Sequence, residues 1–177
     1  NMKVLALDVG TTETGYCVVD SETRKPIEFG KIDNYELLDK MTGYNIVNGE
    51  YPLAYDVLVY EQFTSYGMPI GATTLEAIKW NGRFIQANID NQCRPIYNIT
   101  RIEERRVICN SVKSGDTEVK HALIERFAPK DSNFGKGTKK NKGFFYGFSK
   151  DMWSAYAVAT TYLDLLGTKD EKQISEY

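Results

Sequence analysis

Two short apolar runs, each ending near a carboxylate, decide the fold of this chain. The first is Lys3–Val9, KVLALDV, which leads into a turn rich in glycine and threonine. The second is Tyr55–Glu61, YDVLVYE. Nearly continuous apolar runs of this length are typical of strands buried on both faces of a sheet. If these strands are parallel neighbours, Asp8 and Glu61 emerge at the same edge of the sheet.

The remaining predicted strands and helices indicate the fold class. The first run begins a strand–turn–strand–turn–strand meander, and the later part of the chain alternates strand and helix. Together they predict the α/β class, with a mixed five-stranded sheet (an antiparallel meander plus parallel strands) flanked by helices. The other predicted strands are Gly15–Asp20, Pro26–Ile32 and Arg94–Asn98; the predicted helices are Ala72–Asn88, Ile102–Cys109, Asp116 or Thr117 to Phe127, and a Ser149-capped helix through Leu166.

Three segments have weaker patterns. Residues 33–52 predict a short helix and a loop, and the last ten residues are polar and expected to fray. Pro129–Phe148 mixes lysines and glycines with five aromatic residues and is expected to be a mobile loop. We find no repeat or dividing linker, so residues 1–177 are expected to form a single domain.

Composition excludes several classes of protein. The three cysteines of this 177-residue chain lie far apart and form no CxxC pair, which argues against a zinc ribbon or a disulfide scaffold. With His121 as its only histidine, the chain is poorly suited to a multi-histidine zinc enzyme. No apolar run reaches the roughly 18 residues that a membrane span requires, and the N-terminus does not resemble a signal peptide. A cytoplasmic protein without membrane contact is therefore expected.

The charge is concentrated in one region. The chain has a net charge of −2, yet residues 101–142 carry 11 Lys or Arg against 6 Asp or Glu, a net of +5. A local basic face matters more for nucleic-acid binding than the total charge does. Charge alone does not separate such a face from a solvated basic loop.

Asp8 follows a buried strand, and a buried carboxylate must be hydrogen-bonded, paired or metal-bound. It either orders the following turn or joins Glu61 at the sheet edge.

Asp151 lies in the first turn of the last predicted helix. A carboxylate there either offsets the helix dipole or joins Asp8 and Glu61 as a third carboxylate of one site. Three carboxylates suit Mg²⁺, which prefers oxygen ligands. Two such ions about 3.5–4 Å apart can promote phosphodiester hydrolysis without histidine.

Three motifs, in order, resemble those of the RuvC Holliday-junction resolvases. Residues 8–16, DVGTTETGY, resemble the opening signature, and residues 59–63, VYEQF, resemble the second motif. Residues 154–159, SAYAVA, resemble the alanine-rich helix of the last motif. The likeness covers most of the chain except about residues 32–52, and it is greater to bacteriophage RuvC-like proteins than to the cellular resolvase.

The resemblance implies an RNase H-like fold, a homodimer, and an endonuclease that nicks four-way junctions and forks with two Mg²⁺ or Mn²⁺ ions per site. It places the protein in a bacterial host's cytoplasm, in phage DNA recombination, repair or packaging. Carried over by position, Asp8, Glu61 and Asp151 are the metal-binding, catalytic carboxylates. The last motif's second aspartate is replaced by Ser154, which acts through a bound water or marks an inactive relative. Asp116 is a spare carboxylate, with helix capping as the favoured role.

The resemblance also indicates DNA-binding residues. Phe63, with Tyr66 second, would stack on bases, although Phe63 is equally suited to the core. The helix Ala72–Asn88 corresponds to a dimer helix, on which exposed Trp80 and Phe84 would meet a partner, with Gly82 permitting close approach; the alternative is that both pack on their own sheet. The lysines expected to contact phosphates are Lys113, Lys136, Lys139, Lys140 and Lys142.

Other classes fit less well. Residues 8–12 also resemble the phosphate loop of actin-like ATPases and sugar kinases, but those require two such domains. The RuvX (YqgF) family opens with a similar strand and turn, but fits the later motifs poorly. A catalytically inactive DNA-structure binder is the third alternative, because of Ser154. ATP binding, processing of RNA ends, or junction binding without nicking would distinguish the three.

Overall fold

The computed structural model describes residues 1–44, 52–171 and 174–176. Their strands form a mixed six-stranded sheet in the order β3-β2-β1-β4-β5-β6. Among the described residues, no helix combines the length and apolar character needed to span a bilayer. The strands are β1 Lys3–Asp8, β2 Glu13–Asp20, β3 Pro26–Asp33, β4 Val57–Gln62, β5 Ile96–Thr100 and β6 Ser175–Glu176; the helices are α1 Asn34–Thr42, α2 Ala72–Asn91, α3 Arg101–Cys109, α4 Asp116–Phe127 and α5 Lys150–Leu165.

The two apolar runs are parallel neighbours at the centre of the sheet, as predicted. Strands β1 and β4 pair in parallel with Leu7 opposite Tyr60, so Asp8 and Glu61 occupy the next position on each strand. Strand β5 continues the parallel pairing beyond β4, and β1, β2 and β3 form the expected antiparallel meander. The strand ends of β1, β4 and β5 therefore meet at one edge.

Side-chain alternation assigns both carboxylates to one face of the sheet. Leu5 and Leu7 belong to the core beneath α1 and α2, whereas Val4 and Ala6 belong to the core beneath α5. In β4, the odd-numbered positions likewise face α5. Because successive strand residues point to opposite faces, Asp8 and Glu61 both lie on the α5 face.

The C-terminal residues pair with the sheet instead of fraying. Strand β6 is antiparallel to β5, with Tyr97 opposite Glu176, which adds a sixth strand to the five that the sequence predicts. The unpaired N–H and C=O groups of an edge strand accept any extended segment that reaches them, whatever its polarity. The predicted helix after β3 is α1, capped by Asp33. Residues 45–51 of the adjoining predicted loop lie outside the described residues.

The segment from Pro129 to Phe148 is packed, so the expectation of a mobile loop is wrong. Phe145 and Phe148 are 0% and 2% exposed, and their rings contact Trp153 of α5 with centroids 4.5 and 5.0 Å apart. Backbone hydrogen bonds close the segment on itself, including one from Phe145 N to Gly135 O at 2.9 Å. The aromatic residues in this lysine-rich stretch supply its core.

Helix α2 buries Trp80 and Phe84 against the rest of the protein, the alternative to a partner contact. Trp80 and Phe84 are buried, the indole ring of Trp80 meeting Tyr35 of α1 edge-on at 4.9 Å. Leu75 and Ile78 are exposed instead. The prediction that Trp80 and Phe84 face a partner is therefore wrong, because the larger aromatic surfaces bury more apolar area against α1 and the sheet.

The packing of Phe145 predicts a large effect on stability. Phe145→Ala should lower the free energy of unfolding by about 3–5 kcal/mol, because it opens a cavity beneath α5. Phe134→Ala, in the same segment but 64% exposed, is the matched control and should change it by less than about 0.5 kcal/mol. Urea unfolding followed by circular dichroism measures both. Equal, small effects would show that the segment contributes little to the core.

Candidate active site

The turn that follows Asp8 is held by residues other than Asp8. The Thr14 hydroxyl donates to Asn34 Oδ1 at 2.6 Å, and Asn34 Nδ2 donates to Gly10 O at 3.0 Å. Thr14 and Asn34 are fully buried. Within the described ranges, the Asp8 carboxylate accepts none of the turn's hydrogen bonds. The role of Asp8 is therefore not to order its own turn.

Gly15 allows the N-terminus of α5 to approach Asp8. In the antiparallel pairing of β1 and β2, Gly15 lies opposite Asp8. A Cβ atom at Gly15 would lie 2.6 Å from the backbone oxygen of Asp151 and 2.9 Å from its Cβ. No real side chain tolerates such distances without a shift of α5. The absence of a side chain at this position thus brings Asp151 beside the end of β1.

Basic side chains engage two of the carboxylates. Lys31 Nζ lies 2.6 Å from the Asp151 carboxylate, and Arg101 Nε lies 3.4 Å from Glu61 Oε1. Arg101 begins α3 immediately after β5, with Thr100 as the capping residue whose hydroxyl accepts from Glu103 N at 3.3 Å. Because β5 pairs with β4, Arg101 lies just beyond the strand end next to Glu61.

The carboxylates share one electrostatic environment. Burial, followed by the charges of Glu61 and Asp151, raises the pKa of Asp8 to about 7, and Arg101 opposes this shift. Burial and the adjacent Glu61 raise the pKa of Glu104 on α3 well above its usual range. The three predicted carboxylates are therefore brought together, and Glu104 joins them.

The arrangement is a group of neighbouring carboxylates, not a closed coordination cage. Among the described residues, no three acidic, histidine or cysteine side chains converge closely enough to hold a metal ion as they stand. The donors are nevertheless oxygen atoms of anionic groups, which suit a hard divalent cation. Because burial and the charges of Glu61 and Asp151 raise the pKa of Asp8, added positive charge is expected to stabilise this cluster.

A cleft of about 400 Å³ opens beside the carboxylates. Ser154 lies in its wall, one helical turn after Asp151. Asp116 also lines it, and Gly115, not Asp116, is the N-cap of α4, so the capping role favoured for Asp116 is wrong. The Glu118 carboxylate accepts a hydrogen bond from Gly115 N at 2.9 Å and so closes the start of the helix. The cleft is also lined by Glu61, Glu104, Arg101, Arg105, Lys120, Lys136 and Lys150.

Phe63 and Tyr66 project from the loop that follows β4. They are 42% and 61% exposed, so Phe63 is not a core aromatic residue. Tyr66 and Gly67 both have positive φ, 50° and 81°, which marks a tight turn. This loop begins immediately beyond Glu61 and Gln62, at the same edge of the sheet.

The predicted basic residues occupy different places. Lys136 is half-buried and lines the cleft. Lys139 and Lys140 are exposed at the tip of a turn closed by the Gly137–Lys142 bridge. Lys142 Nζ instead lies 5.0 Å from the ring centroid of Tyr146, and Lys113 is exposed before α4. Of these lysines, Lys136 is the one that shares the cleft with Glu61.

Sequence reasoning misses Glu104, Arg101 and Lys31. Glu104 stands in the charged stretch RIEERR, which is typical of a solvated helix. The available signal is its position four residues after the end of β5, at the edge where Asp8 and Glu61 are expected. Cysteine is a small residue that usually lies in the core, and here Cys17 is buried, Cys109 is half-buried and Cys93 is exposed. His121 is exposed on α4.

A meander joined to parallel strands, with the last helix packed over the acidic edge, is an RNase H-like fold of the RuvC type, which confirms the predicted fold class. Two solved structures of Thermus thermophilus RuvC share it. The one in complex with a Holliday junction substrate has a TM-score of 0.68 and 11% identity, over the whole of both chains. The other has a TM-score of 0.68 and 12% identity, over 99% of this chain and all of that chain. No family model and no curated protein matches the sequence.

The raised pKa of Asp8 predicts a pH-dependent stability. The folded protein holds a proton on Asp8 up to about pH 7, whereas the unfolded chain releases it near the ordinary aspartate value of 3.8. Metal-free folded protein should therefore lose stability as the pH rises between these values. Asp8→Asn removes this penalty, so the variant should melt several degrees above wild type at pH 8 in EDTA.

Thermal denaturation at pH 5 and pH 8 measures the effect, and the advantage of the variant should shrink at the lower pH. Asp56→Asn, at the opposite end of the strand pair, where the Asp56 carboxylate accepts from Lys3 N at 2.8 Å, is the control. It should show no such stabilisation. If Asp8→Asn were less stable than wild type at pH 8, the prediction that ionised Asp8 destabilises the metal-free fold would be wrong.

Proposed function

We propose that this protein is a structure-selective endonuclease that nicks branched DNA, such as four-way junctions and forks, by metal-assisted phosphodiester hydrolysis. The observation that carries the proposal is that Asp8 and Glu61 end neighbouring strands on one face of an RNase H-like sheet, with Asp151 of α5 beside Gly15, the residue opposite Asp8. One of the similar structures is a RuvC in complex with a Holliday junction substrate. The motif resemblance further supports phage DNA recombination, repair or packaging in a bacterial cytoplasm.

Asp8, Glu61 and Asp151 would hold the divalent cations, two Mg²⁺ per site with Mn²⁺ able to substitute. When bound, the cations would activate water and stabilise charge on the leaving oxygen. The chain's own residues orient the substrate: Lys136 and Arg105 line the cleft, where they can neutralise phosphate charge. Lys31 and Arg101 hold the carboxylate side chains in place.

The DNA contacts would come from two exposed segments near the cleft. Phe63 and Tyr66 are free of the core and can stack on unpaired bases, which are available at a branch point. Lys139 and Lys140 can contact phosphates from their turn. Stacking and phosphate contacts tolerate any sequence, so this combination favours recognition of DNA structure.

A four-way junction has two-fold symmetry, so paired nicks require two active sites and we propose a homodimer. The outward face of α2 supports this proposal. Leu75 and Ile78 are 50% and 40% exposed, and Ile89 is 38% exposed further along the helix. A Cβ at Gly82 would meet open space, so a partner can approach this face closely.

A second candidate is a catalytically inactive protein that binds branched DNA. Ser154 favours it, because a hydroxyl stands where the resemblance places a metal-binding aspartate. The binding surface would be the same, and only hydrolysis would be absent. The two candidates differ in whether the bound junction is cut.

The endonuclease proposal predicts a separation of cleavage from binding. Asp8→Asn should abolish nicking of a labelled four-way junction, because the cation loses a ligand. It should leave junction affinity unchanged or higher, since losing a negative charge cannot weaken attraction to phosphate. The assay compares the junction with a linear duplex of the same sequence, in Mg²⁺, in Mn²⁺ and in EDTA.

Symmetric, metal-dependent nicks in the junction alone, lost in Asp8→Asn and retained in the Asp56→Asn control, are the expected result. Tight junction binding without nicks in either metal would support the inactive binder instead. Normal cleavage by Asp8→Asn would show that the carboxylate assignment is wrong.

The basic turn predicts a salt-dependent contribution to binding. Replacing both Lys139 and Lys140 with alanine should weaken junction binding and reduce the slope of log K against log salt by about 0.9 for each phosphate that the turn neutralises. Lys169→Ala is the control, because that exposed lysine follows the opposite end of α5. Fluorescence anisotropy at several salt concentrations measures the slopes. Unchanged slopes for the double variant would exclude the turn from the DNA interface.

A further inference from the structure

The site contains one carboxylate that neither motif resemblance nor helical pattern indicates. Glu104 lies on α3 and is 5% exposed. Among the described residues, it is the one acidic or basic side chain that is buried. Burial of a charged group is costly unless something compensates it.

The protein compensates Glu104 only in part: the charge of Arg101 opposes the rise in its pKa, but no basic side chain of the described residues forms an ion pair with it. In the described part of the chain, its Oε2 atom has no hydrogen-bond partner. The preceding residue shows the contrast, because Glu103 is paired with Arg106, whose Nε lies 3.2 Å from Glu103 Oε2. A structural carboxylate on this helix is thus readily paired with arginine, whereas Glu104 is not.

Glu104 is directed toward the predicted metal-binding group. It lines the cleft together with Glu61 and Ser154. Glu61, in the same cleft, and Asp8 both lie close enough to influence its carboxyl group electrostatically. Two adjacent carboxyl groups require either a shared proton or a cation between them.

We propose that Glu104 supplies the cation-binding carboxylate that is missing at Ser154, so that Asp8, Glu61, Glu104 and Asp151 together form the divalent-cation site. This inference rests on the proposed function. The donor comes from α3, across the cleft from α5, and so reaches the site from a different element than Ser154 does. Glutamate has several rotatable side-chain bonds, so its carboxylate can close on a cation without movement of the helix backbone.

The test measures Mn²⁺ binding directly, by calorimetry and by the rise in melting temperature on adding Mn²⁺. Glu104→Gln should weaken Mn²⁺ binding at least about tenfold, as loss of a group in a metal site does. Glu125→Gln, an exposed glutamate on α4, is the matched control and should bind Mn²⁺ like wild type. Circular dichroism checks that Glu104→Gln keeps the native fold.

A rescue variant separates metal binding from a purely structural role. Adding Ser154→Asp to Glu104→Gln should restore most of the Mn²⁺ affinity, because the carboxylate returns at the position given by the motif. If Glu104 served only in folding or in sharing a proton with Glu61, a new carboxylate at position 154 on α5 would not restore Mn²⁺ binding. If Ser154→Asp failed to restore Mn²⁺ binding, the proposal that Glu104 replaces the carboxylate missing at Ser154 would be overturned.

The outcomes distinguish this inference from the proposed function. If Glu104→Gln binds Mn²⁺ like wild type while Asp8→Asn does not, the metal site stands and the role of Glu104 is wrong. If wild type itself shows neither binding heat nor a melting shift with Mn²⁺, the proposed metal site fails, and the inference fails with it.

Discussion

Backbone hydrogen bonds between β1 and β4 set Leu7 opposite Tyr60 and leave Asp8 beside Glu61 at the next position. Because strand side chains alternate, a slip of one residue in this pairing would turn a carboxylate toward α2. The apolar rows on both faces of the two strands oppose such a slip, since every buried side chain would change faces. The packing that drives folding therefore also determines where the charged groups meet.

That placement has an energetic cost. Asp8 lies partly buried among other carboxylates, and Glu104 is almost completely buried. Lys31 and Arg101 offset the charge of Asp151 and Glu61, but neither contacts Glu104 closely enough to pair with it. Sites with such unfavourable electrostatics are typical of function, because selection for stability alone would remove them.

The central strands can be predicted from the sequence because a run such as KVLALDV has few alternatives to a buried strand. The common edge of Asp8 and Glu61 follows from the parallel pairing. The buried face of α2 is not determined by its sequence, because apolar residues lie on both faces: Trp80 and Phe84 are buried, whereas Leu75 and Ile78 are exposed. The sequence places Glu104 shortly after β5 but does not indicate its burial, because that burial depends on how α3 packs against α5.

The segment before α5 is mispredicted for a related reason, because its lysines and glycines conceal an aromatic core. Phe145 and Phe148 fix the segment to Trp153 and Tyr156 of α5, the helix that also carries Asp151. This aromatic packing therefore connects the turn bearing Lys139 and Lys140 to the helix that carries Asp151. On the proposed function, a phosphate bound by this turn would be positioned relative to Asp151. The segment would then set the distance along the DNA between the bound phosphate and the site of cleavage.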